Sequence, residues 1–502
     1  MDARLGTRSH DSDGVQKSVI GILAGALAVL TAALLLAVAA AAPAAPVTGA
    51  RSTAAGAFVW RSPALSGLTG NNGTDFVVAG PRGSVYSVAS VAVKWTPVRS
   101  AFQVSRLSAA GGRVIWRKTF RGAARTYAVA RGVAVDGHGD VVVTGSELVK
   151  AGQGECLLVL KLRAADGKQL WARTLSSPPA GATLTDALGS GVAVDGAGSV
   201  YVSGYVGWTA DSSSFDDAVA LKYSAGGRRL WKHVDVMPGA NEYSGIAVDA
   251  SRNVYLAGLE ATSPPPSLAF NAVLTRLDAN GDEVWSQPFV SALGSSYLRF
   301  VRVTGADVVA SGVTFDTRVP ATPRSVPFAL KAPRSSGIAA WKTDLDSLPG
   351  DNQDLRAFAM DGDGHVVLAG LTRHVAGPGL PALSYMGWVS RITPTGVVAW
   401  TSDFYDDGSV APYGGAVFGV ACDASGRVYC AGGWATDAAL TAELPVVRRY
   451  SATGVAQKDW KFRATYTNGE TWTAAAGSSG VFAGGFAENA KGMKAWVQRL
   501  KP

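Results

Sequence analysis

The 502-residue sequence predicts an all-β repeat fold, and three observations carry the prediction. A short pattern recurs along the chain: an apolar strand, an Asp-led turn, and a second strand ending in a small residue and glycine. It reads "GVAVDGHGDVVVTGS", "GVAVDGAGSVYVSGY", "GIAVDASRNVYLAGL" and "GVACDASGRVYCAGG". A tryptophan follows at a second landmark, as in "DGKQLWARTL" and "NGDEVWSQPF". Sixty glycines, with no heptads and no long charged amphipathic stretches, argue for many tight turns and against an all-helical chain. Four short strands per unit, repeated at 50–60 residues, describe the blades of a β-propeller.

From the N-terminus, residues 1–18 form a short basic-and-acidic lead. Residues 19–42 form an uncharged run of 24 apolar or small residues, long enough to span a bilayer as one hydrophobic helix. Ala42-Pro43-Ala44 fits a small-x-small cleavage site, so the run reads as a signal peptide or a transmembrane anchor. Either outcome puts the remainder outside the cytoplasm when the Arg4, Arg8 and Lys17 side stays in. Residues 43–56 form an Ala/Pro/Ser/Thr linker, and residues 57–502 the propeller.

The closing glycines read as Gly80, Gly145, Gly204, Gly258, Gly312, Gly370, Gly432 and Gly484, spaced by 52 to 65 residues. The tryptophans are Trp116, Trp171, Trp231, Trp285, Trp341, Trp400 and Trp460. After Gly484 the chain offers only a third strand, "KAWVQRL", and the missing fourth appears at the other end as "GAFVWRSPAL" with Trp60. The expectation is an eight-bladed propeller closed by an N-terminal strand that completes the last blade, which removes exposed sheet edges. Asp136, Asp195, Asp249, Asp361 and Asp423 are read as structural acceptors for backbone N–H groups in the first turn. The tryptophans belong on the outermost strands, where a large ring covers the seam between blades.

The "GVAVDxxGxVYVxG" hairpins resemble SBBP repeats of exported bacterial proteins, and "AMDGDGHVVLAGL" resembles the delta-60 repeat. The turns "AADGKQLWART" and "DANGDEVWSQ" resemble the tryptophan-docking motif of PQQ-like repeats, which build eight-bladed propellers. These resemblances cover roughly residues 57–500 and imply the fold, while function lies in sites grafted on it.

No cofactor or metal is expected. Quinoprotein dehydrogenases carry adjacent cysteines, whereas Cys156, Cys422 and Cys430 are separated. Cys422 and Cys430 align with apolar core positions of other repeats. "DGDGH" at Asp361–His365 echoes a calcium loop but lacks the later carboxylate, so it reads as a hairpin turn. The net charge of +8 is scattered and no nucleic-acid motif occurs, so nucleic acid is excluded as a partner.

What remains is a binding surface. The longest loops, including 81–101, 205–216 and 433–443, fall on one face of a propeller. With the fourth-to-first connections they carry Trp95, Tyr205, Trp208, Tyr405, Tyr413, Trp434 and Trp472. Aromatic rings beside polar groups suit a protein or an envelope glycan. The expected protein is a monomeric binding or scaffold module at the cell envelope, touching membrane only through its N-terminal segment. The alternative is a secreted glycan-cleaving hydrolase, which a cluster of carboxylates and arginines around the channel would favour.

Overall fold

A computed structural model describes residues 58–501 except 62–71, 96–97, 124–126, 150–153, 177, 179, 211–212, 237–238, 263–268, 317–323, 347, 349–351, 376–382, 405–413, 436–442, 462–467 and 490–491. The apolar run at 19–42 lies outside the described residues. Among those described, no helix is long and apolar enough to cross a membrane.

The structure is an all-β propeller built from antiparallel sets of four strands. Set 1 comprises Asn72–Ala79, Ser84–Trp95, Val98–Ser108 and Val114–Phe120. Set 2 comprises Ala128–Val135, Val141–Glu147, Cys156–Leu162 and Gln169–Leu175. Set 3 follows with Thr183–Val194, Val200–Ala210, Ser213–Tyr223 and Arg229–Asp235, and set 4 with Glu242–Val248, Val254–Ala261, Phe270–Leu277 and Glu283–Phe289. Sets 5 and 6 run from Ser296 to Asp344 and from Asn352 to Phe404, joined by one parallel pair, Ser325↔Asn352. Set 7 spans Gly415–Lys461. The last sheet orders Asn468–Gly477, Gly480–Asn489 and Gly492–Leu500, with Phe58–Arg61 paired antiparallel on its edge.

Burial follows strand order. In set 2 every residue of the second and third strands is buried, while the fourth strand exposes Gln169, Leu170, Arg173 and Thr174. Each core lies between sheets: Tyr86, Phe102 and Trp116 of set 1 pack on Val141, Val143 and Leu160 of set 2. Val77 and Val85 of set 1 likewise pack on Phe482 and Val497 of the last sheet.

Six fourth-strand tryptophans dock on the next set in one way. The indole N–H donates to the first carbonyl of the next third-to-fourth-strand turn, as in Trp116 to Ala164 (2.8 Å), Trp171 to Ala225 (2.9 Å) and Trp231 to Ala279 (3.2 Å). Trp285, Trp341 and Trp400 repeat it on Arg334, Pro394 and Ala452. The ring then covers a glycine. Gly227 has φ +83° and a Cβ there would stand 2.6 Å from Trp171, so both conformation and space demand glycine. Trp460 is fully buried in the seam between sets 7 and 8. The Trp60 side chain lies outside the described residues, and its backbone pairs with Arg499.

The turn aspartates close their hairpins. Asp195 accepts the N–H groups of Ala197 (2.9 Å) and Ser199 (2.8 Å) and the Tyr201 hydroxyl (2.9 Å). Asp136 accepts two N–H groups and pairs with Lys161 at 2.8 Å; Asp249 pairs with Arg334 at 2.9 Å. Asp361 and Asp423 repeat the arrangement with Arg391 and Arg427. Burial alone would raise Asp195, but these donors hold its carboxyl below the usual range.

The strand register corrects two sequence assignments. Gly80 occupies the place of the turn aspartate, at the end of the first strand, where its N–H bonds Ser84 O as Asp136 N–H bonds Asp140 O. The closing position of set 1 is Ala89, facing Thr74. In the last sheet it is Gly485, not Gly484, because Gly485 faces Thr471 before a register shift. The reason for glycine there is contact: a Cβ on Gly258 would lie 1.8 Å from Glu242 O. The supposed long loop at 81–101 is also mostly strand.

Truncating Trp171 should therefore cost about 3–5 kcal/mol, the range for deleting a buried large ring. Trp171→Phe, which keeps most packing but loses the bond to Ala225, should cost less. Urea unfolding of both variants measures the difference; equal, near-zero costs would refute the docking argument.

Candidate functional site

One end of the molecule gathers the second-to-third-strand hairpins and the links between sets. In set 3 both strands run 11 residues, and the ladder continues to Ala210↔Ser213. Near its tip, Trp208 and Phe215 face each other in register and stack at 4.4 Å with 20° between planes. The Trp208 indole donates to Asp217 at 3.0 Å. The following link is pinned to the hairpin: Asp216 N–H donates to Gly239 O, and Asn241 N–H to Asp216 O.

Beneath this hairpin lies a group of carboxyls. Tyr205, buried, donates to Asp186 at 2.8 Å, and Ser190 donates to Glu242 at 2.9 Å. Ser146 donates to Glu155 at 2.6 Å. Asp186 and Asp216 both press on Gly207, where a Cβ would meet their oxygens at 2.5 and 2.7 Å. Asp216 is 2% exposed and its Oδ1 has no hydrogen-bond partner among the described residues. Burial, then the charges of Asp186, Glu242 and Asp217, push the Asp216 carboxyl well up. Burial also raises Glu242, opposed by the Ser190 and Ser244 hydroxyls and by Arg131 and Arg299.

A second cluster joins sets 7 and 8. Trp434 is 1% exposed, beneath Arg448 (4.7 Å) and Lys461 (4.8 Å) and beside Phe404. Half-buried Trp472 bonds Glu470 and lies edge-on to Phe486 at 5.0 Å. Glu443 meets Glu470 across Gly433. Burial and the Glu470 charge push the Glu443 carboxyl up to about 9.

Of the aromatic residues the sequence singled out, the structure thus turns Tyr205 and Trp434 inward. Trp208 and Trp472 remain half-buried, each with its indole N–H on a carboxylate. Trp95 ends a strand and pairs with Val98 through its backbone; its side chain lies outside the described residues. Tyr405 and Tyr413 lie outside them too.

Sequence reasoning missed a further series. Each first strand carries one extra residue opposite the closing position, a β-bulge. In sets 1 to 4 these are Asp75, Arg131, Ser190 and Ser244. In sets 5 to 8 they are Arg299, Arg356, Phe418 and Trp472. The signal was present: several of them immediately precede the glycine that opens "GVAVD", "GIAVD" or "GVACD".

Asp361, Asp363 and His365 bring possible ligand atoms within 4.8 Å of one another, but Asp361 already holds the Arg391 guanidinium. Cys156, Cys422 and Cys430 are free thiols; Cys156 belongs to set 2 and the other two to set 7. They supply no adjacent pair for a quinone cofactor. Burial pushes the Cys422 thiol up to about 12, which makes it inert.

Tryptophan-docked sets and Asp-closed hairpins define a β-propeller of PQQ-like repeats. The family described as outer membrane protein assembly factor BamB matches residues 100–354, half of the chain, and the chain belongs to it. Comparison with curated protein sequences returns no match. Similar solved structures include the quinohemoprotein alcohol dehydrogenase ADHIIG from Pseudomonas putida HK5, at 12% identity and TM-score 0.46, covering 89% of this chain and 76% of that one. Sqt1 from Chaetomium thermophilum matches at 12% and 0.45, covering 87% and 98%. Polysaccharide lyase Uly1 matches at 8% and 0.42, covering 74% and 91%.

The Glu443 proton has a readable consequence. The folded carboxyl keeps its proton up to about pH 9, whereas an unfolded one loses it near ~4.3. Unfolding releases that proton between these values, so stability is full below the window and falls as pH rises through it. Glu443→Gln should remove up to one proton's worth of this slope, about 1.4 kcal/mol per pH unit. Urea unfolding from pH 5 to 9 measures it; identical slopes would show that the folded Glu443 carboxyl does not retain its proton.

Proposed function

We propose that this chain is an exported, closed eight-bladed propeller that serves as a binding scaffold, holding a protein partner on its hairpin face. Closure is supported by Phe58–Arg61 on the last sheet, by Arg499 donating to Ala109 O at 3.2 Å, and by the core shared between sets 1 and 8. The likeness of the turns to SBBP and delta-60 repeats fits the same reading. The observation that carries the binding assignment is the set 3 hairpin. Its two 11-residue strands present a stacked, half-buried Trp208–Phe215 pair, with the indole oriented by Asp217. A rigid aromatic pair beside carboxylates provides contact area at little entropic cost. The family description, an assembly factor of outer membrane proteins, supports a protein partner and an extracytoplasmic site. The apolar run at 19–42 supplies export or anchoring.

One observation favours a second reading, glycan hydrolysis: Asp216 and Glu242 are both raised, Asp216 feels the Glu242 charge, and Glu242 in turn feels Arg131 and Arg299. Release of reducing ends from envelope glycans would detect it.

Full-length protein, used as bait in detergent-solubilised envelope, should retain a protein partner. Trp208→Ala and Phe215→Ala should each reduce retention about tenfold or more, the cost of a hot-spot ring, with thermal unfolding still cooperative. Retention that ignores both substitutions would overturn the hairpin assignment.

A further inference from the structure

The bulge residues offer a site at the centre of the molecule, separate from the hairpin tips. The first strands meet one another at the bulge level. A Cβ on Gly245 would stand 2.8 Å from the carbonyl of Arg299, and one on Gly419 would stand 3.0 Å from the carbonyl of Trp472. Val77 N–H reaches Thr473 Oγ1 at 3.3 Å, and Arg299 Nη1 donates to Leu355 O at 2.8 Å. In sets 2 and 7 the residue displaced from the ladder is the accessible one. Arg131 is the one exposed residue of Ala128–Val135, and within Gly415–Ala421 only Phe418 escapes full burial.

Charge is arranged unevenly around this level. Arg131 has no hydrogen bond or ion pair among the described residues. Arg299 commits one nitrogen to a carbonyl, and Arg356 pairs with Asp354 at 2.5 Å. The nearby carboxylates are satisfied elsewhere: Asp75 accepts the Ser90 N–H at 2.7 Å and its hydroxyl at 2.5 Å, and Glu242 accepts Ser190. The Arg131 charge acts on Asp75 and Glu242, and also on Glu155, which accepts the Ser146 hydroxyl. The Arg131 guanidinium and the remaining nitrogens of Arg299 are open to an anion, and a planar carboxylate matches such a fork. The neighbouring arc presents half-buried Phe418 and Trp472, apolar faces that suit the C–H face of a sugar ring.

We propose that the space enclosed by the first strands binds a carboxylate-bearing saccharide, with Arg131 and Arg299 holding the carboxylate and Phe418 and Trp472 packing on the ring. This site shares its carboxyls with the hydrolytic reading but requires no turnover, so binding is measured directly and its outcome is independent of cleavage.

Calorimetric titration of the full chain with trigalacturonate tests it, against a neutral galactose trisaccharide of equal length and inorganic phosphate. Saturable binding of the acidic sugar is expected, with the neutral one at least about tenfold weaker. Arg131→Ala should weaken binding at least about tenfold, as should Phe418→Ala. Because Arg131 makes no hydrogen bond or ion pair among the described residues, its variant should still unfold in one cooperative transition. Absence of saturable heat, equal binding of the neutral sugar, or full affinity in Arg131→Ala would each overturn the proposal. Displacement of the sugar by equimolar phosphate would overturn the saccharide assignment.

Discussion

The fold depends on one repeated contact, an indole set on the turn of the next sheet. The fourth strands of sets 2 and 3 are largely open to water and end their four-stranded sheets. The ring of Trp171 or Trp231 turns that outer strand into a clasp. It covers apolar surface across the seam, and its N–H donates to a turn carbonyl of the neighbouring sheet. The glycine beneath is as necessary as the indole, since any side chain there would occupy the ring's own volume. Nearest-neighbour clasps of this kind explain why the sets tolerate large differences in hairpin length.

Much of this was legible in the sequence, because the residues that make the contacts are rare and regularly spaced. Tryptophans, turn aspartates and positive-φ glycines have few substitutes, so "AADGKQLWART" announces its geometry. The failures have equally physical causes. "FVVAG" in set 1 imitates a closing strand, yet Gly80 stands where other sets have aspartate, and the closing position is filled by Ala89. Nothing in residue type marks that shift; only the ladder does. Tyr205 and Trp434 read as ligand-facing because loop aromatics often are. Here the hairpins extend as strands, and alternation turns those two rings toward the interior. The bulge residues were invisible for the opposite reason: they vary from Asp to Arg to Trp, and their equivalence is one of backbone position.

Two electrostatic styles coexist. On the turn end, aspartates meet several donors each, so their charge is held comfortably and the hairpins are stiff. On the hairpin end, carboxyls crowd together with phenols and hydroxyls, and burial raises Asp216, Glu242 and Glu443. Such crowding is unfavourable for folding and is typical of surfaces shaped for something other than stability. The stiff end and the strained end are joined by the same strands, which places the variable chemistry on a fixed support.

The pairing of Phe58–Arg61 with the strand that ends at Leu500 has a consequence for the order of events in synthesis. Other strands in the molecule find their partners close by in sequence, within their own set, and assemble as the chain emerges. The segment at 58–61 emerges before nearly all of the described chain and must wait for residues 498–500. During synthesis the early sets are therefore able to form while one sheet remains short of a strand and its edge stays open to other chains. Completion is thus a single late event that joins the first described strand to the last.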